Sequence, residues 1–448
     1  MLAPVSFGRY SVAFAFVGLF RLLPDLGMSY ASTLAISRER ALARPLVWNL
    51  LGFQTLLSLL SLLLCLGVGR ALYSGETWVA VAVLSFDLVF KAFKTTLRWA
   101  LKSLERYGVE AVSLLVERSA ILLFAGASLL AGYGVVPFVL VFAAVRLVDM
   151  LALAAYVTAR VLPLRLAFDG RLWRDLLLKG LPFAYVGLML TLTFQVDAVL
   201  LGAMRGPAEV GFYRAPTLVL EGLTLVPRVI GYALIPTMAA LHGTAPGAVT
   251  ELYRRGSKYL LLAGLPVAVL GVLESDRLIP QLFGNAYQPS VPASVILLPA
   301  TVFMFLSNFG ETTLACIDRW KTIVVVSTAA LLLNVGLNLA WIPTHGYHGA
   351  AWATLATEGF YFAATAAALA AYGHRVSWLG LLLRPAAATL AFGLALAAVH
   401  SWPLALAASF ALVVLLAASV PLGVWDHKER EAIGELLRGG RPDARRLA

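Results

Sequence analysis

The feature that most constrains this chain is a succession of apolar blocks, each about 20 residues long and separated from the next by a short polar break. That is the length at which a helix crosses a hydrocarbon core of about 30 Å. Inside lipid every backbone polar group must find its partner within the protein, so only helices or a closed β-barrel can span. A barrel would show short segments of alternating hydrophobicity, and the sequence has none. Of 448 residues, 60% are hydrophobic and 13% charged, against roughly 45–50% and about 25% in a soluble domain, which excludes a water-soluble fold. The reading is an all-α polytopic membrane protein with 13 spans, near 8–35, 46–69, 77–100, 109–131, 136–159, 177–202, 211–240, 258–280, 292–315, 322–342, 348–371, 378–399 and 402–424.

The net charge of +11 does not point to nucleic acid, because the basic residues sort by membrane side instead of gathering on one soluble face. Lys and Arg fill alternate loops: Arg38, Arg40 and Arg44; Lys102 and Arg106; Arg160, Arg165, Arg171, Arg174 and Lys179; Arg254, Arg255 and Lys258; Arg319 and Lys321; Arg375. The opposite loops hold little beyond Arg70, Arg205 and Arg277. The positive-inside rule makes the first set cytoplasmic, which predicts an inner (cytoplasmic) membrane protein with its N-terminus outside and the basic tail 426–448 inside. An odd number of spans gives the same answer.

Chemistry is scarce. Cys65 and Cys316 lie in apolar helices far apart, which suits neither a disulfide framework nor a metal site. The first segment lacks a basic leader and runs into a span carrying Arg21 and Asp25, so it does not read as a cleavable signal peptide. No G-x-x-x-x-G-K-[ST] loop and no H-x₃-H or H-E-x-x-H spacing occurs, so nucleotide hydrolysis and metal catalysis find no support and the chain reads as a non-enzyme.

An internal repeat organises the spans. Gly8-Arg9-Tyr10 through Pro24-Asp25 matches Gly211-Phe212-Tyr213 through Pro227-Arg228 at a constant offset of 203. Further on, Glu105-Arg106-Tyr107 matches Asp318-Arg319-Trp320 at offset 213, and Gly134 matches Gly346 at 212. Both copies enter the membrane from the same side, so this is a parallel repeat about an axis along the membrane normal. It predicts an N-lobe 1–161 of five spans, a C-lobe 172–372 of six, and two additional spans in 376–425. The span at 177–202 has no counterpart in the first copy, so one helix of the repeat is absent from this sequence, and a start codon upstream is the favoured reading.

The chain resembles the oligosaccharide flippases, the polysaccharide-biosynthesis branch of the multidrug/oligosaccharidyl-lipid/polysaccharide exporter superfamily. The residues that carry the resemblance are Phe7-Gly8-Arg9-Tyr10 with Asp25-Leu26-Gly27; Asp197 through Gly202 followed by Glu209-Val210-Gly211-Phe212-Tyr213; Pro236; Phe283-Gly284 with Tyr287; and Asn334 through Asn338, Pro343, Gly346 and Gly349-Ala350. These are structural glycines, prolines and aromatics, so they speak to the superfamily more than to the cargo. The resemblance implies two lobes that alternate access to a central cavity, and a tail groove on the last two spans, 378–424, as in the lipid II flippase branch. The departure from the pattern is the missing first helix, which lines the cavity in relatives.

Charged side chains within spans are costly, about 2.5–3.5 kcal/mol each on insertion scales, so they are the best guide to function. Asp87, Lys91, Lys94 and Arg98 recur at intervals of four, three and four, on one helical face. Arg214, Glu221 and Arg228 are each seven apart, Arg21 and Asp25 occupy the matched helix, and Arg118 and Arg146 add isolated cations. One reading is a cationic cavity formed by Arg21, Lys91, Lys94, Arg98, Arg118, Arg146, Arg214 and Arg228 for the diphosphate of a lipid-linked sugar. The other is mutual neutralisation: Arg21 with Asp25, Asp87 with Lys91, Arg146 with Asp149, Glu221 with Arg214 or Arg228. Lys94, Arg118 and Arg228 have no carboxylate one turn away on the cavity face and lean to function.

Asp197, Asn334, Asn338 and Thr354 fall at similar depth, one carboxylate with three neutral oxygens, a set suited to Na⁺. The resemblance implies a sodium site at comparable places in the lipid II branch, where Asn338 would be acidic. The alternative is that the two asparagines join helices by hydrogen bonds. Glu311 and Glu358 have two readings, proton relay and helix packing.

The combined expectation is a flippase for a polyprenyl-diphosphate-linked oligosaccharide in cell-surface polysaccharide biosynthesis. Its partners would be the lipid-linked oligosaccharide, the bilayer, a polysaccharide polymerase and glycosyltransferases. It would have no cofactor beyond a coupling Na⁺ or H⁺. The alternatives are a multidrug cation antiporter of the same superfamily and a membrane scaffold without transport.

Overall fold

A computed structural model describes residues 3–426 and 429, apart from 30, 31, 33–35, 37, 38, 40, 41, 162 and 164. Arg38, Arg40 and nearly all of the basic tail lie outside the described residues. Helices account for the regular structure: α1 (Pro4–Phe20), α2 (Ala43–Leu72), α3 (Gly75–Ser85), α4 (Asp87–Ser103), α5 (Tyr107–Ala120), a π-turn (Ile121–Ala125) leading to α6 (Gly126–Leu130), α7 (Val135–Arg160), α8 (Gly170–Arg205), α9 (Pro207–Leu223), α10 (Leu225–Leu241), α11 (Pro246–Phe283), α12 (Val291–Cys316), α13 (Trp320–Ala371), α14 (Trp378–Ala398) and α15 (Leu404–Ser419). The fold is all-α and the protein crosses the membrane many times.

Eight helices among the described residues are long and apolar enough to span, and α1 and α15 are shorter apolar helices. This differs from the thirteen blocks read in the sequence because breaks fall where the chemistry dictates. Pro24 has no N–H to continue the helix from Phe20, and the chain leaves α1 through turns that put Leu26 at φ 43° and Gly27 at φ 74°. Pro227 does the same between α9 and α10, where the Thr224 hydroxyl bonds the Glu221 carbonyl at 2.7 Å. The helix α13 holds 52 residues, about 78 Å if straight and far more than a bilayer needs. It is two arms: Gly346 sits at φ 56°, ψ −138°, a conformation that a side chain would strain.

The chain divides into two compact units, Met1–Arg214 and Ala215–Ala448. Packing groups α8 with the first unit because it lies against α1 and α2. The lobe limits 1–161 and 172–372 follow sequence repetition, a different partition. In the first unit Ala13, Phe16 and Val17 of α1 pack against Ala80, Val81 and Leu84 of α3, with Val135 and Val139 of α7. In the second, Tyr253 and Leu260 of α11 meet Phe305 and Phe309 of α12 and Leu369 of α13. The seam between α14 and α15 is filled by Phe392, Leu396, Ala407, Ala411 and Leu415. Large apolar side chains left exposed, such as Leu60, Leu63, Leu115 and Leu122, are those a hydrocarbon environment accommodates at no cost.

Within the first unit the repeat takes on physical form. A Cβ on Gly8 would overlap the carbonyl oxygen of Pro207, and a Cβ on Gly211 would overlap the carbonyl oxygen of Pro4. Positions 4 and 207, and 8 and 211, are partners at the offset of 203. Repeat-related residues therefore meet one another reciprocally, as in a self-complementary two-fold contact.

The last described residues are clasped to α11. Glu429 accepts hydrogen bonds from Lys258 Nζ at 2.7 and 2.8 Å and from the Tyr259 hydroxyl, and Trp425 stacks on Tyr259 at 5.8 Å. Burial would raise the Glu429 pKa, but the bonds from Lys258 and Tyr259 outweigh it and hold the carboxyl below its ordinary value. A depressed carboxylate contributes stability that is complete above its free value, near about 4.3, and fades as pH falls through the lower folded value. Hydrogen exchange at Trp425, Asp426 and Glu429, corrected for the intrinsic pH dependence of amide exchange, should therefore be unchanged between about pH 8 and pH 5 and rise only in stronger acid. In Glu429→Gln it should be fast throughout, and a wild-type segment that loosens already near neutrality would contradict the clasp.

Candidate functional site

The charged face of α4 organises the site. Asp87 opens the helix, where a negative charge favours the helix dipole, and the four-three-four spacing carries Lys91, Lys94 and Arg98 down one side. Asp87, 1% exposed in its side chain, accepts from Arg146 Nη1 of α7 at 2.5 Å and lies 3.5 Å from Arg21 Nη2. Arg146 Nε is 3.6 Å from Glu117 of α5. Glu117 binds Lys94 Nζ at 2.7 Å and Arg98 Nη2 at 2.7 Å. Asp149 of α7 closes the network, 3.2 Å from Lys94 and 3.0 Å from Arg98, with its other oxygen bonded by the Ser113 hydroxyl at 2.8 Å.

Several expectations change. Lys94, read as unpaired, is buried between Glu117 and Asp149. Its partners come from α5 and α7, whereas a search one turn away sees only α4. Arg21 pairs with Asp87 and not with Asp25, because α1 ends at Phe20 and four-residue spacing no longer aligns the two. Asp25 instead accepts from the Gln54 amide at 2.7 Å and from the Ser29 hydroxyl. Asp149 goes to Lys94 and Arg98 in place of Arg146, and Asp87 to Arg146 and Arg21 in place of Lys91. Arg118 is exposed beside Leu115 and Leu122, away from the network, since Glu117 points inward and the next residue turns about 100° round the helix. Arg214 is buried on α9 in the first unit, and Arg228 is exposed on α10 in the second.

The network joins four cations, Arg21, Lys94, Arg98 and Arg146, to three carboxylates, Asp87, Glu117 and Asp149, which leaves one positive charge over. Lys91 adds a second, on an exposed side chain of the same helix. The Nε groups of Arg21, Arg98 and Arg146 are buried with no hydrogen-bond partner among the described residues. A net-positive cluster with donors to spare and an exposed Lys91 beside it suits an oxyanion.

The expected ion-coupling residues are not gathered within either unit. Asp197, in the first, accepts from the Tyr213 hydroxyl at 2.7 Å. Asn338, in the second, donates its amide to the Asn334 backbone and side-chain oxygens at 2.9 and 3.1 Å, and the Thr354 hydroxyl bonds the Ala350 carbonyl at 3.1 Å. The Asn334 side-chain oxygen is thus engaged within its own helix, four residues along, in a contact that ties together one helix and not two. Among the described residues no group of three or more His, Cys, Asp or Glu could hold a metal.

Residues 1–242, which contain this whole network, match the family model described as Polysaccharide biosynthesis protein. The chain belongs to the polysaccharide biosynthesis protein family. It is similar to a family relative from Shigella flexneri named "Putative O-antigen transporter", 25% identical over 377 residues that cover 78% of this chain and 86% of the relative. The fold is shared with the lipid II flippase MurJ in an inward closed conformation, at TM-score 0.77 and 12% identity over 97% of this chain and 94% of MurJ. It is also shared with an inward-facing multidrug resistance MATE family transporter of the MOP superfamily, at TM-score 0.64 and 15% identity over 83% of this chain and 92% of that one. The family to which the sequence motifs pointed is therefore that of this protein.

Proposed function

We propose that this polysaccharide biosynthesis family member is a flippase for a polyprenyl-diphosphate-linked oligosaccharide, working in the cytoplasmic membrane and not as an enzyme. The observation that carries the reading is the net-positive cluster of the first unit, with Lys91 exposed beside it. A diphosphate brings the complementary charge and the oxygen geometry that guanidinium and ammonium groups bind. The relative named as an O-antigen transporter and the fold shared with a lipid II flippase support the same cargo class. The cluster would hold the head group while conformational change exposes it to one side and then the other, and the sugar would be handed to a polymerase beyond the membrane. A coupling Na⁺ or H⁺ belongs to this proposal, and no step is routed through it.

Lys91→Glu tests the reading. Lys91 is exposed and holds no buried partner, so reversal should leave thermal stability nearly unchanged while cutting transport of a fluorescent polyprenyl-diphosphate sugar in proteoliposomes about tenfold or more. Unaltered transport with normal insertion would refute the head-group role. A drug exporter for organic cations is disfavoured by the same surplus of positive charge, and efflux of a cationic dye by the wild type would speak for it.

A further inference from the structure

Asp87, Glu117 and Asp149 each meet a guanidinium or an ammonium, whereas Asp25 has no cation within 4 Å among the described residues. Its partners are neutral. Oδ1 accepts from the Gln54 amide of α2 at 2.7 Å, from the Ser29 backbone N–H at 3.2 Å and from the Ser29 hydroxyl. Ser29 Oγ lies 3.3 Å from Thr96 Oγ1 of α4, in a bond that either hydroxyl can donate, and the Thr96 hydroxyl bonds the Gln54 side-chain oxygen. Ser32, three residues after Ser29 and on the same helical face, is 3% exposed, and its hydroxyl has no partner among the described residues. Gln54, Ser29 and Thr96 are fully buried while Asp25 is only partly so, which makes the carboxyl the accessible end of the cluster. Thr96 is two residues from both Lys94 and Arg98, about 200° round α4, so this cluster lies apart from the cationic one. The charged groups that bear on Asp25 are Arg21, which is committed to Asp87, and Lys91 of α4. The element on the remaining side, α8, presents Gly180, whose Cβ would come within 2.5 Å of the Leu26 carbonyl oxygen.

We infer that Asp25 is a reversible proton-binding site through which a proton couples to transport, which rests on the flippase reading above and deepens it. A carboxylate clamped by Lys or Arg loses an ion pair when it is protonated and strands its partner's charge. Asp25 strands nothing, because its neighbours are hydroxyls that donate or accept as required. With the carboxylate charged, the Ser29 hydroxyl points at Oδ1. With the carboxyl protonated, its O–H points at Ser29 Oγ, the Ser29 hydroxyl turns to Thr96 Oγ1, and Thr96 goes on donating to Gln54. The chain of bonds is kept in either state. The proton comes from water and returns to water, and only an O–H bond forms and breaks. A metal cation would have to displace these contacts, since the same oxygens already bond one another, whereas a proton adds to them. An unpaired charge within a spanning segment is costly, and the proton removes that cost.

The full chain in proteoliposomes, with a fluorescent polyprenyl-diphosphate sugar under an imposed pH gradient, tests the site. One coupled proton makes a gradient of about one pH unit shift the cargo between leaflets about tenfold, and reversing the gradient should reverse the shift. Asp25→Asn, in protein that inserts normally, should lose this response, and Asp25→Glu should recover part of it. Infrared difference spectra between mildly acidic and neutral pH should show a protonated-carboxyl band in the wild type that Asp25→Asn lacks and Lys91→Glu keeps. The spectrum needs no cargo, so the band present in a chain that moves no sugar would sink the flippase reading and leave the proton site standing. A band unchanged in Asp25→Asn overturns the inference, as does cargo that follows a sodium gradient and ignores pH.

Discussion

Replacing Glu117 with alanine is expected to destabilise the protein by about 3–5 kcal/mol, the range for removing one partner of a buried ion pair. The Glu117 side chain is 4% exposed and binds Lys94 and Arg98 at 2.7 Å each, with Arg146 a further 3.6 Å away. Without it, Lys94 and Arg98 must share Asp149, and a buried ammonium is left with half its compensation. The double variant Lys94→Met with Glu117→Met should cost much less, because it removes one charge of each sign and refills the space with apolar atoms. Thermal unfolding in detergent reads both. A single variant as stable as wild type, or a double variant worse than the single, would show that the network does not hold the first unit together.

Gly8→Val should be the most damaging conservative change at a glycine. The α1 and α9 backbones touch at Gly8 and Gly211, and a branched side chain there cannot be relieved by rotation because its obstacle is the Pro207 carbonyl. Overpacking of this kind costs about 1–3 kcal/mol, or the two helices separate. Gly211→Val meets the Pro4 carbonyl and should behave alike, since the contact is reciprocal. Gly126→Ala is the contrast: nothing lies within 4 Å of its added carbon, so the helix should gain about 0.5–1 kcal/mol. Transport and melting temperature together decide the matter. If Gly8→Val and Gly126→Ala behave identically, the close approach is not part of the working protein.

The sequence by itself determined the medium, the helical class and the family. Apolar blocks of spanning length admit few other solutions, and Gly8, Tyr10, Gly211 and Tyr213 at a fixed offset announced the repeat whose partners turn out to touch. It also placed Lys91, Lys94 and Arg98 on one face, because helical periodicity is a local property. Only the tertiary structure decided which of these charges is free. Lys94 is neutralised by acids 23 and 55 residues away on other helices, while Lys91, one turn earlier, keeps an exposed side chain. The amide partner of Asp25 was equally hidden, since Gln54 lies 29 residues further on in another helix. Periodicity tells a residue which way to face; what it faces is set by distances between segments, and those exist only once the helices have packed.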